Sequence, residues 1–173
     1  MDTSQFFAAV RPELVGDNGP SVRPGDDPLL YGSAVMTPCN PVEVRSFNTF
    51  EITYTVGRIG LDDTGGIRVC FRMISDFGKL QITDPSSPNF FSAKCSGSGK
   101  ISLRIAPEGQ RPWSLAITAQ LNGGYLNEGE QIILTFGDTS QGSPGFMMQT
   151  FAEGGFEFKV MTDVQATGNF LPL

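Results

Sequence analysis

Six stretches of this chain alternate apolar and polar residues one for one. Phe50, Ile52, Tyr54 and Val56 alternate with Glu51, Thr53 and Thr55. Ile67, Val69, Phe71 and Met73 alternate with Arg68, Cys70 and Arg72, and Ile101, Leu103 and Ile105 with Ser102 and Arg104. Trp113, Leu115, Ile117, Ala119 and Leu121 alternate with Ser114, Ala116, Thr118 and Gln120. Ile132, Leu134 and Phe136 alternate with Ile133 and Thr135, and Phe156, Phe158 and Val160 with Glu157 and Lys159. Successive side chains of a β-strand point to opposite faces, so each stretch reads as a strand with one buried and one wet face. A weaker strand is expected at Val42 to Arg45. No long helical pattern competes with these strands. One-sided strands must bury their apolar faces against one another. The pattern therefore predicts an all-β fold, an antiparallel β-sandwich of about seven or more strands, with pairing order left open.

The segments between the strands carry turn chemistry. Asp62-Asp63-Thr64-Gly65-Gly66 and Asn122-Gly123-Gly124 supply glycines for φ > 0. Asp84-Pro85-Ser86-Ser87-Pro88-Asn89 is a proline-punctuated loop, and Cys95-Ser96-Gly97-Ser98-Gly99 is a further turn. The chain has 173 residues, which fits one domain, and 39% of them are apolar, enough for a sandwich core. Each large apolar side chain fully buried contributes about 1.5–3 kcal/mol against the entropy of ordering the chain.

Two segments depart from the strand pattern. Residues 1–40 read as a Pro/Gly-rich N-terminal arm, with Pro12, Pro20, Pro24, Pro28 and Pro38 among Gly16, Gly19, Gly25 and Gly32. Ser4 to Val10 is long enough for one helical turn presenting Phe6 and Phe7. Leu14, Val15, Leu29, Leu30 and Tyr31 give the arm apolar residues with which to dock. The second departure is Gly137-Asp138-Thr139-Ser140-Gln141-Gly142-Ser143-Pro144-Gly145, continuing through Phe146 to Glu153. This long glycine-rich loop stands between two strands. The sandwich is assigned to residues 41–165, and 166–173 to the start of a linker or tail.

Composition excludes several chemistries. There is no histidine, so a histidine zinc site, a Ser-His-Asp triad and a Cys-His pair have no member here. Cys39, Cys70 and Cys95 show no CxxC spacing and read as free thiols of a reducing, cytoplasmic setting. The net charge is -6 and the pI near 4.6, which disfavours nucleic acid and an anionic membrane surface. Residues 1–7 lack the basic and apolar regions of a signal peptide, and no apolar run approaches the ~20 residues that span a bilayer.

The candidates for chemistry sit in the long loop. Its glycines lack the Gly-Lys-Ser/Thr of a phosphate cradle, and Asp138 would repel phosphate. Ser140 and Ser143 have no histidine base. Asp138 and Glu153 form a possible acid/base or Ca²⁺ pair, set against a turn-capping role for Asp138 and a solvated Glu153. Met147 and Met148 read either as an adaptable contact surface or as a plug for one end of the sandwich. Asp138, Ser140, Ser143, Met147, Met148, Gln149 and Glu153 are thus binding or interface candidates, with no catalytic residue, metal ligand or cofactor assigned. Trp113, Tyr31, Tyr54 and Tyr125 would make a sugar-stacking platform if exposed, but Trp113 and Tyr54 fall in phase with core positions. Asp62-Asp63 and Asp26-Asp27 read as solvated turns.

Several segments read together resemble the N-terminal β-domain of a large bacterial family of unknown function. They are Tyr54-Thr55-Val56-Gly57 with Gly60-Leu61, Gly65-Gly66-Ile67-Arg68-Val69, Ser75-Asp76 with Leu80-Gln81, and Pro88-Asn89-Phe90. The strongest is Gly137 to Gly145 followed by Gln149-Thr150-Phe151-Ala152-Glu153. In that family this domain precedes a larger one similar to PHP-type metal-dependent phosphoesterases. The resemblance covers about residues 32 to 173. It implies that the metal site belongs to the larger domain, and that this chain acts as a separated N-terminal domain or a subunit supplied in trans. The implied partner is a catalytic hydrolase domain or subunit, with self-association as the other partner reading. The function expected is then a non-catalytic domain that packs on and supports that hydrolase. The alternative is a free-standing enzyme or a small-molecule or carbohydrate-binding module using the loop carboxylates and aromatics.

Overall fold

The computed structural model describes residues 27–72, 75–107 and 112–173. It is an antiparallel β-sandwich. A one-turn helix, α1 (Pro28–Tyr31), comes first; Asp27 caps it by accepting a hydrogen bond from the Leu30 amide at 3.1 Å, with proline in the first turn. One sheet contains β1 (Ser33–Thr37), β3 (Phe50–Thr55), β5 (Phe91–Cys95) and β8 (Gln131–Phe136), in the order β1-β3-β8-β5. The other contains β4 (Gly66–Arg72), β6 (Lys100–Pro107), β7 (Trp113–Asn122), β10 (Phe158–Asp163) and β11 (Leu171–Pro172), in the order β11-β10-β4-β7-β6. A small ribbon joins β2 (Phe47–Asn48) to β9 (Phe146–Met147).

Period two sets the layers. Along β3, buried Phe50, Ile52 and Tyr54 alternate with half-buried Glu51, Thr53 and Thr55. β8 repeats the pattern, and the register pairs Ile52 with Leu134 and Tyr54 with Ile132. Ile67, Val69, Phe71, Ile117, Ala119 and Leu121 of the larger sheet meet them in one continuous core. At one end the core becomes almost wholly aromatic. Phe136 stacks on Phe50 with ring centroids 4.7 Å apart, and Phe71, Phe91, Phe146 and Phe158 surround it. Offset-stacked and edge-to-face pairs of this kind add to the stabilisation from burial alone.

Four features differ from expectation. Ser33–Thr37, inside the segment read as an arm, forms an edge strand against β3; the arm's residues 1–26, with the Ser4 to Val10 turn, lie outside the described residues. Val42 to Arg45 is not a strand. Pro38 and Pro41 remove backbone donors, and Arg45 sits at φ 60 in a turn, so pairing begins instead at Phe47. The last strand begins at Phe158 rather than Phe156, and the tail turns back so that Leu171–Pro172 pairs with β10.

The fourth concerns Trp113. The β4–β7 register slips between Phe71 and Arg72: Phe71 faces Leu115, but Arg72 faces Trp113. The extra residue reverses the phase of everything beyond it. Trp113 therefore leaves the core and packs with Cys70, Ala116, Met161 and Phe170 on the outer face of the larger sheet. Tyr54 keeps its expected core place, with its hydroxyl donating to the Tyr31 carbonyl at 2.5 Å.

Candidate functional site

The long loop folds back on the sandwich rather than standing away from it. Thr49 donates to the Gly137 carbonyl at 2.7 Å, and the Asp138 amide donates to Phe90. Phe146 is fully buried and Met148 nearly so, while Met147 between them is exposed. The two methionines thus divide the roles read for them: Met148 plugs the end of the sandwich and Met147 faces solvent.

The loop's polar candidates are mostly structural. Asp138 accepts from the Ser92 hydroxyl at 2.5 Å and from the Ser140 amide at 2.9 Å, which makes it the cap of a turn. The Ser92 hydroxyl, against an opposing contribution from burial, holds the Asp138 carboxyl below its ordinary range. Ser143 is buried, and its hydroxyl oxygen accepts from the Gly145 amide at 3.2 Å. Ser140 is exposed and contributes its amide to the same turn. Gln149 is 4% exposed; its carbonyl oxygen accepts from the Ser75 hydroxyl at 2.6 Å and its amide donates to the Phe151 carbonyl at 3.0 Å. Glu153 lies elsewhere, on the exposed rim of a groove that Asp138 does not line. The structure does not join these two carboxylates into one site.

The lowered Asp138 carboxyl has a consequence for stability. A depressed carboxyl stabilises the fold above its ordinary titration range and loses that contribution as pH falls through the lowered value. Asp138→Asn is expected to have a shallower acid limb than the parent below about pH 4, measured as the thermal midpoint against pH. Superimposable acid limbs would count against this role for Asp138.

A groove with a volume of about 520 Å³ opens at the aromatic end. Its floor is Phe50, Phe158 and Met148, the outermost members of the core. One wall is the proline-punctuated segment from Met36 to Val44, and the other runs from Gln149 to Phe156. The walls are tied together at one end, because the Arg45 amide donates to Gln149 at 3.0 Å and the Met148 amide to Ser46 at 2.9 Å. Asp76 clamps the next residue, accepting from the Thr150 amide at 2.8 Å and its hydroxyl at 2.6 Å. Val42 and Phe151 remain 42% and 40% exposed at the mouth. Among the described residues, Glu43 and Glu153 are the charged ones lining it, and no lysine or arginine does.

Sequence reasoning located the Gln149-to-Glu153 wall but missed the facing one. Pro38, Pro41, Val42 and Val44 carried a signal there, apolar residues in a segment whose prolines bar it from the sheet. Among the described residues no group of three or more histidine, cysteine, aspartate or glutamate side chains is placed to hold a metal ion.

No family model matches this chain, and no curated protein matches it. Two solved structures are similar to it. One is the CBM3a-L domain with flanking linkers from scaffoldin cipA of the cellulosome of Clostridium thermocellum, at 11% identity over 77% of this chain and 85% of that one, TM-score 0.42. The other is the family 3a carbohydrate binding module from the same scaffolding, at 12% identity over 77% and 95%, TM-score 0.40. At such identity no site residue carries over.

Proposed function

We propose that the chain is a non-catalytic β-sandwich module that packs against a metal-dependent hydrolase domain, the partner implied by the resemblance in its loop segments. The observation that carries a binding role is the groove at the aromatic end. Its floor is continuous with the core, its mouth exposes Val42 and Phe151, and among the described residues its rim carries Glu43 and Glu153 with no lysine or arginine beside them. Apolar anchors in a pocket, ringed by polar groups, are the usual centre of a protein interface. The acidic rim selects a partner segment that is apolar and flanked by lysine or arginine.

The test mixes the chain with a hydrolase chain encoded beside it or fused to it. A stable complex is expected by sedimentation, and Val42→Asp or Phe151→Asp is expected to weaken it by about 30-fold, the effect of a hot-spot loss of roughly 2 kcal/mol. Both positions are exposed, so the thermal midpoint stays near that of the parent. An unchanged affinity in both variants rules out the groove as the interface.

A second reading is saccharide binding, the property for which the family 3a module above is named. The placement of Trp113 favours it here. The slipped register carries an aromatic side chain to the outer sheet face, against the Cys70, Ala116 and Met161 cluster on which Phe170 also packs.

A further inference from the structure

The outer face of the larger sheet holds a second cleft of about 450 Å³. We propose that this cleft seats the oxyanion of an acidic saccharide, a carboxylate or sulfate held between Arg68 and Arg104 over Thr118. Naming a saccharide rests on the second reading above; the oxyanion contact rests on the groups in the cleft.

Register puts the three residues in one row. Arg104 on β6 faces Thr118 on β7, and Thr118 faces Arg68 on β4. Neighbouring strands are about 4.8 Å apart, so the two arginine backbones stand about 10 Å apart with the threonine midway. Two guanidinium groups at that spacing can converge on one bound group. Arg68 is already oriented: its Nε donates to Thr118 Oγ1 at 3.2 Å, and its Cζ lies 4.1 Å from the centre of the Phe170 ring. That stacking leaves the guanidinium edge directed along the sheet rather than free to swing.

The inventory of donors and acceptors decides the ligand class. Arg68 and Arg104 are donors without acceptor capacity. Thr118 accepts from Arg68, which leaves its own hydroxyl hydrogen to give. Ser102 likewise accepts from Asn122 Nδ2 at 2.8 Å and keeps a hydrogen to donate. Gln120 donates one amide hydrogen to the Thr64 carbonyl at 2.9 Å, and its side-chain oxygen is the one acceptor it brings to the cleft. The carboxylate in the cleft, Asp163, is consumed by the turn beneath it, accepting from the Thr167 amide and hydroxyl and from the Gly168 amide. The two guanidinium groups and the two hydroxyls thus outnumber the cleft's acceptors, and an acceptor-rich anion complements them.

Charge supports the same conclusion. The chain has 18 acidic and 12 basic residues, yet among the described residues neither Arg68 nor Arg104 has an ion-pair partner. Arg58 and Arg72, by contrast, each pair with a glutamate. A solvated sheet face commonly carries scattered arginines. Here two without an ion pair share a row with hydroxyls inside a cleft that Phe170 also lines, and Trp113 lies on the same sheet face.

The test is calorimetric titration with an oligogalacturonate, a sulfated oligosaccharide, a neutral oligosaccharide of the same length, and inorganic sulfate. At least one acidic oligosaccharide is expected to bind at least tenfold tighter than the neutral one, and added salt to weaken it. Arg104→Gln and Arg68→Gln are each expected to reduce acidic binding about tenfold or more, the loss of one charge-assisted contact. Arg104 is exposed, so its variant stays folded even if removing Arg68 loosens Phe170. The groove variant Phe151→Asp is expected to bind as the parent does. Equal binding of acidic and neutral oligomers, unaffected by either arginine variant, overturns the oxyanion site while leaving saccharide binding intact. Arginine-dependent binding of inorganic sulfate with none of the oligosaccharides overturns the ligand class. Absence of all binding overturns both.

Discussion

Phe136→Ala is expected to lower the unfolding free energy by about 3–5 kcal/mol, the range for removing a large aromatic from a core. Phe136 is fully buried on β8, where the two sheets meet at the aromatic end. It stacks on Phe50 at an interplanar angle of 10° and touches Phe71, Phe91, Phe146 and Phe158 at ring-centroid distances from 4.7 to 5.9 Å, apart from Phe146 at 6.4 Å. Removing it takes one partner from five rings held by different strands, so local collapse cannot refill the space. A typical domain has only about 5–15 kcal/mol to lose. The thermal midpoint is expected to fall by roughly 10 °C or more. Urea unfolding measures the effect, with Phe151→Ala at the exposed groove mouth as the comparison. A loss below about 1 kcal/mol would show that the aromatic end is loosely packed. The substitution also acts on function, because Phe50 and Phe158 form the groove floor and Phe136 holds both.

Gly137→Ala is expected to cost about 2–4 kcal/mol, with local rather than global consequences for the loop. Gly137 ends β8 at φ 67, a conformation that L side chains rarely adopt. A Cβ there would lie 2.1 Å from the Phe146 nitrogen, 2.5 Å from the Asn48 oxygen and 2.7 Å from the Gly145 carbonyl carbon. All three are backbone atoms of the β2–β9 ribbon and its approach, and none can rotate away. The ribbon must open, and with it the wall that carries Met148 and Gln149. Gly142→Ala is the control: φ is 98 there, but a Cβ would meet nothing within 4 Å. It is expected to cost about 1–2 kcal/mol, for the backbone alone. Hydrogen exchange at Met147 and Met148 reads the difference, and equal protection in the two variants would sink this account of the loop.

The core strands were legible because period two is a local property. Phe50 to Val56 and Ile132 to Phe136 show their buried face in seven and five consecutive residues. β5 escaped because Ala93 and Cys95 give its inner face too little hydrophobicity to stand out from Ser92 and Lys94. The misplacement of Trp113 has a different cause. A one-residue slip against a distant strand reverses the phase, and nothing near Trp113 in sequence announces it. The site was half legible for related reasons. Gln149 to Glu153 stood out as polar and aromatic residues after a glycine-rich loop. The facing wall, Pro38 to Val44, is brought there by contacts with residues more than a hundred positions away. Asp138 and Glu153 looked like a pair because they bracket the loop, but the loop's own turn absorbs the first.

The borders of both sheets bear on how copies of this protein can meet. The larger sheet ends on one side at β11, two residues long and containing Pro172, and on the other at β6, which carries Lys100 and Arg104 and finishes at Pro107. β1, at the margin of the smaller sheet, stops immediately before Pro38. Proline offers no amide to a newcomer, and cations side by side repel a second such row. Runaway fibril-like stacking of backbone on backbone is thereby discouraged, and recognition is left to side chains on the faces and at the aromatic end, where composition can choose the guest.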